Sequence, residues 1–252
     1  MFKEKIIGYF KETIPNIHKK FDSNHLSELN NLAEYVSKIY VILAKIINNP
    51  DQNSISDVEF NTALLLWRGT NTIIASFELI RSGYGIEPLV VARNALETCT
   101  TAIDLYKNPD KLKDFKENKY KSSKSISVAK EVIPVIGKLH GVLTNFYTHV
   151  GFMSSYPLYY RDETGAITLI TGGMYGKENQ YHLNMDLSLV EWLLSIYLAS
   201  TEYIFFRFCE MPEFWQRIDN DKLKFVFSNG EWEKHIKREI RVIQALKLLN
   251  NM

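Results

Sequence analysis

Apolar positions recur along most of this chain with the three-to-four-residue spacing of helices, and the alternation of strands is confined to one short region. Residues about 2 to 12 predict a short amphipathic helix ended by Pro15. After Asp22–Ser23 a longer helix is expected, with Leu26, Leu29, Leu32, Val36, Ile39, Leu43 and Ile46–Ile47 on one side. Ser56-Asp-Val-Glu59 has the form of a capping box, and opens a helix through Ala63, Leu66, Ile73, Phe77 and Ile80 that Gly83-Tyr-Gly85 stops. Pro88 suits the first turn of the next helix, and Asn108-Pro109-Asp110 closes it.

The second half is less regular. Residues 110 to 132 are polar and lysine-rich and predict a surface helix with a weak point at SSKSIS. Pro134 starts a further helix through Ile136, Leu139, Leu143, Phe146 and His149. Tyr156–Tyr160 and Ala166–Thr171, joined by Asp162-Glu163-Thr164-Gly165, read as a β-hairpin. Asn184 or Asp186 is expected to cap a long helix running to about Cys209, Pro212 to begin a short helical piece, and 231–249 to form a terminal helix. Fold class is therefore all-α: one helical domain over 1–252 with a small peripheral hairpin at about 156–171. Helices within 1–50 should pack on a core of about 56–210.

The helix from Glu87 to Lys107 is apolar on most sides yet carries a polar stripe of Arg93, Glu97, Thr100 and Asp104. At roughly 100° per residue these four fall within a narrow sector. Buried charge must be paired or used, so the stripe is either an internal network or the lining of a pocket. Arg68, Glu78 and Arg81 on the preceding helix are its candidate partners. His140 and His149, nine residues apart, face opposite sides of their helix and cannot share a metal. His149, beside Tyr147 at a helix end, is the preferred functional histidine. Thr171-Gly-Gly-Met-Tyr-Gly-Lys177 falls one residue short of a phosphate loop, and Glu178 stands where the magnesium-binding hydroxyl belongs. The basic residues of 231–249, preceded by Glu231 and Glu233, suit the helix dipole.

Composition narrows the field further. Hydrophobic residues make up 46% and aromatic residues 13%, enough for a sizeable core. The formal charge of +1 gives no global pull toward nucleic acid or anionic membrane, so any such binding must come from a local patch. Cys99 and Cys209 make neither a disulfide framework nor a zinc spacing, which fits a reducing, cytoplasmic setting. The longest apolar run, Trp192–Phe206, is interrupted by Ser195, Ser200, Thr201 and Glu202, which reads as a buried helix and not a membrane span. No pattern singles out a cofactor or a metal.

The elements Arg93-Asn-Ala-Leu-Glu97 and Phe146-Tyr-Thr-His149, followed by a hairpin, resemble those of a broad group of uncharacterised bacterial all-helical proteins. The match covers about residues 60 to 210. That group is distantly similar to the HEPN ribonucleases and toxins, whose hallmark Arg-x(4–6)-His does not occur in this chain.

Two functions follow as expectations. In one, a buried polar pocket of Arg93, Glu97, Thr100, Asp104, Tyr147 and His149 serves a binding or interaction protein, with a homodimer or a small-molecule ligand as partner. The alternative, implied by the resemblance, is a metal-independent ribonuclease or toxin of stress or phage defence. There His149 would be the general acid or base, Arg93 would stabilise the phosphorane, and Glu97 would orient one of them.

Overall fold

A computed structural model describes residues 2–144, 159–161, 167–169, 175, 180–219 and 222–226. Among them the chain forms α1 (Phe2–Gly8), α2 (Ile14–Asn24), α3 (Leu26–Ile47), α4 (Asp57–Arg81), α5 (Glu87–Lys107), α6 (Leu112–Lys116), α7 (Ser125–Val132), α8 (Val135–Leu143) and α9 (Gln180–Ile204). Two hairpins complete it: β1 (Tyr159–Arg161) with β2 (Ile167–Leu169), and β3 (Trp215–Asp219) with β4 (Lys222–Phe225).

The predominantly helical class and the hairpin after α8 agree with the sequence pattern. Tyr159 pairs with Leu169 and Arg161 with Ile167 in an antiparallel register. The ends of that predicted hairpin, its turn at 162–165, the glycine-rich segment and the terminal helix at 231–249 lie outside the described residues. No helix among the described residues is long and apolar enough to cross a membrane.

The core sits where α3, α4, α5 and α9 meet. Helix α4 begins with the reciprocal capping box that its sequence announces: Ser56 Oγ accepts from the Glu59 amide at 3.2 Å, and Glu59 Oε2 accepts from the Ser56 amide at 2.9 Å. It ends at Gly83, whose φ of 82° is a left-handed conformation that glycine adopts without strain. The short connection folds α5 back against α4, and Ser76 Oγ donates to Pro88 O at 2.7 Å across the turn. Helix α9 closes over the pair through Tyr197, whose hydroxyl donates to Ala95 O at 2.5 Å. A Cβ at Gly69 would stand 1.8 Å from that hydroxyl, so a glycine is what lets Tyr197 pass between α4 and α5.

Several predicted boundaries move. Pro15 does not end the first helix. It occupies the first turn of α2, where a missing N–H costs nothing, and a π-helical turn at Tyr9–Thr13 joins α1 to α2. The lysine-rich stretch is not one helix but α6, a turn through Asn118 at φ 58°, a 3-10 turn and α7. Helix α9 starts at Gln180, so Asn184 and Asp186 are interior residues and not its cap, and the helix ends at Ile204 before a 3-10 turn at 206–208.

Past Pro212 the chain forms β3, not a helix. Its start is held by tertiary bonds: both Glu202 carboxylate oxygens accept, from the amides of Glu213 at 2.8 Å and Phe214 at 2.9 Å. The Trp215 indole also donates to Ala199 O at 2.7 Å. Burial pushes the Glu202 carboxyl above the usual carboxylate range, and the two amide donors offset only part of that push.

Candidate functional site at the α5–α8 junction

The polar stripe of α5 divides into two ends with different chemistry. At the C-terminal end Asp104 is 1% exposed. Its Oδ1 accepts from Asn108 Nδ2 at 2.7 Å and Lys111 Nζ at 2.8 Å, and its Oδ2 from Tyr120 Oη at 2.6 Å and Lys111 Nζ at 3.0 Å. Burial works to raise its pKa, yet the three donors prevail and hold the carboxyl below its ordinary value. Burial and the neighbouring carboxylate push the Tyr120 hydroxyl up in turn. Every acceptor direction of Asp104 is thus occupied by its own chain, and this end is a clamp folding residues 108–120 onto α5.

The middle is equally closed. Thr100 Oγ1 donates to Glu97 O at 3.0 Å and shares a 2.9 Å hydrogen bond with Ser125 Oγ, seating the start of α7. Cys99, on the apolar side, touches Ser200 Oγ at 3.1 Å, and its full burial pushes the thiol up to about 12. It is a packing residue with no thiolate to offer.

The N-terminal end is open. Arg93 Nη2 pairs with Glu97 Oε1 at 2.8 Å, with the two side chains 30% and 34% exposed. Arg93 Nε donates to Thr144 Oγ1 at 3.2 Å, and that hydroxyl lies 3.4 Å from His140 Nε2. Residues 140 and 144 are one helical turn apart, so the end of α8 presents both to α5. Arg93 Nη1 has no partner among the described residues. Burial, and then the Arg93 charge, lower the His140 pKa, while Glu97 opposes them more weakly. The imidazole is therefore neutral at pH 7 and able to accept a proton or a hydrogen bond.

The structure brings Arg93 and Glu97 together as the helical spacing predicts, and sets them 11 and 7 residues from Asp104, about 16 and about 10 Å along the helix. The expected partners on α4 are engaged elsewhere. Arg81 forms two 2.7 Å bonds to Asp22 of α2 and Glu78 stands 3.5 Å from His18, while Arg68 faces outward. Tyr147 and His149 lie outside the described residues. Among the described residues, the histidine near Arg93 is His140, whereas the sequence favours His149. The signal for His140 was the i,i+4 spacing to Thr144.

Among the described residues, no group of three or more His, Cys, Asp or Glu side chains is placed to hold a metal ion. Neither family models nor curated proteins nor solved structures give a match to this chain.

Proposed function

We propose that the protein is a helical binding module. Its ligand carries a small oxyanion, a carboxylate or a phosphate, which seats at the α5–α8 junction. The observation that carries this reading is the half-exposed Arg93. Glu97 and Thr144 orient its guanidinium from two sides and leave Nη1 for an incoming acceptor. A guanidinium fixed in advance binds an anion without the cost of ordering a long side chain, and charge-assisted hydrogen bonds are the strong ones. Glu97 sets a limit: the pair is close to neutral, so affinity for a bare anion should be modest and most of the selectivity must come from the rest of the ligand. Isothermal titration with inorganic phosphate and with acetate, on the wild type and on Arg93→Gln, tests the reading. Binding of either anion that vanishes in the variant supports it, and indifference to the substitution opposes it.

One observation favours the ribonuclease alternative. Arg93 and a neutral His140 meet at the same hydroxyl, and a cation beside a proton acceptor is what metal-free phosphodiester cleavage needs. Incubation of the wild type, His140→Gln and His149→Ala with mixed RNA in a metal chelator decides it. Cleavage lost in either variant would replace the binding reading with the enzymatic one.

A further inference from the structure

We infer that the face built by residues 111–130 is a docking surface for the phosphodiester backbone of a nucleic acid, an inference that does not rest on the Arg93 site. The segment holds seven lysines against two acids, a net +5. The remaining 23 of the 30 bases and 27 of the 29 acids leave the rest of the chain at −4. The near-zero total thus conceals a strong local asymmetry.

The Lys119 and Tyr120 amides both donate to Asp114 O, at 2.8 and 3.1 Å, so the chain reverses through Asn118 between α6 and α7. Three lysines are used internally: Lys111 on Asp104 at 2.8 Å, Lys116 on Asp57 at 2.5 Å and Lys119 on Glu117 at 2.6 Å. Lys113, Lys121, Lys124 and Lys130 are exposed and have no acidic partner among the described residues.

The composition of the face selects the partner. None of the large exposed apolar residues of the described chain lies in 111–130. Protein interfaces are anchored by aromatic and apolar residues and are poor in lysine. Peripheral membrane helices need an apolar side to insert. A face of lysines interspersed with the exposed hydroxyls of Ser122 and Ser123, lacking an apolar anchor, matches the contacts that hold a sugar–phosphate backbone without reading its bases.

The experiment measures fluorescence anisotropy of a short labelled single strand and of a duplex of the same length, with salt varied. Four free lysines predict a slope of log K against log salt of about −2.8 for the single strand and −3.6 for the duplex. Between about 50 and 200 mM salt that is a loss of about 50-fold or 150-fold. Lys121→Gln combined with Lys124→Gln should reduce the slope by about 1.4 and 1.8 respectively, and the same pair changed to Arg should restore it. These side chains are exposed, so the variants should fold, and Lys19→Gln with Lys20→Gln on α2 is the matched control. The inference is overturned by absence of binding at about 50 mM salt, by an unchanged slope in the Lys121/Lys124 variant, or by an equal effect of the control pair. Equally tight binding of polyglutamate would also overturn it, pointing to an acidic protein instead.

Discussion

Replacing Asp104 by Asn separates the two ends of the stripe, because it removes one charge and almost no volume. In the wild type the carboxylate is 1% exposed and accepts from Asn108, Lys111 and Tyr120. The amide keeps one acceptor oxygen and turns an N–H₂ toward groups that themselves donate. Removing one partner of a buried ion pair costs about 3–5 kcal/mol. Lys111 is 35% exposed and can recover water, which favours the lower end, about 3 kcal/mol. For a chain of this size, 1 kcal/mol moves Tm by about 2–4 °C, so the variant should melt about 6–12 °C lower at pH 7.

The pH dependence gives a second handle. The folded pKa of Asp104 is depressed, so its contribution is present above the unfolded value of about 3.9 and is lost as pH falls through the folded value. The gap between wild type and variant should therefore narrow below about pH 4, with a remainder from the misplaced amide donors. Calorimetric melting of both proteins from neutral to acid pH makes the comparison. Equal Tm at pH 7, or a gap that acid leaves unchanged, would refute the assignment of Asp104 to a clamp.

Other outcomes follow from the same structure. Gly69→Ala places a methyl 1.8 Å from the buried Tyr197 hydroxyl and should cost about 3 kcal/mol, the upper part of the overpacking range, visible as a lower urea midpoint. Ser56→Ala removes the capping box of α4 and should cost about 1 kcal/mol by the same measurement. The folded pKa of His140 is lowered, so its neutral form contributes stability above about pH 6.5 that is lost as pH falls through the folded value. Between pH 7 and 5 the wild type should therefore lose stability relative to His140→Gln, and parallel pH–stability curves would contradict this.

What the sequence disclosed tracks how local each signal is. The Ser56–Glu59 box and the Gly83 stop act within a single turn and are legible by spacing. The Arg93–Glu97 pair is one helical turn and was equally legible. Thr144 is 51 residues away from Arg93 and His140 is 47, so no periodicity connects them, and only the packing of α8 on α5 brings them together. The Asp104 partners Asn108 and Lys111, by contrast, follow at i+4 and i+7 and could have been read from the chain. Hairpin β3–β4 was hidden for a tertiary reason. Its first residues are held by Glu202 and Ala199 on α9, contacts absent from the local pattern after Pro212.

The division of the stripe into a closed clamp and an open anion site is tested most directly by titrating phosphate, at low ionic strength and pH 7, into the wild type, Arg93→Gln and Asp104→Asn. The account predicts one phosphate bound per wild-type chain, affinity lowered at least about tenfold in Arg93→Gln through loss of one charge-assisted bond, and affinity kept in Asp104→Asn below its melting range. Equal binding by wild type and Arg93→Gln, or affinity lost only in Asp104→Asn, would contradict it.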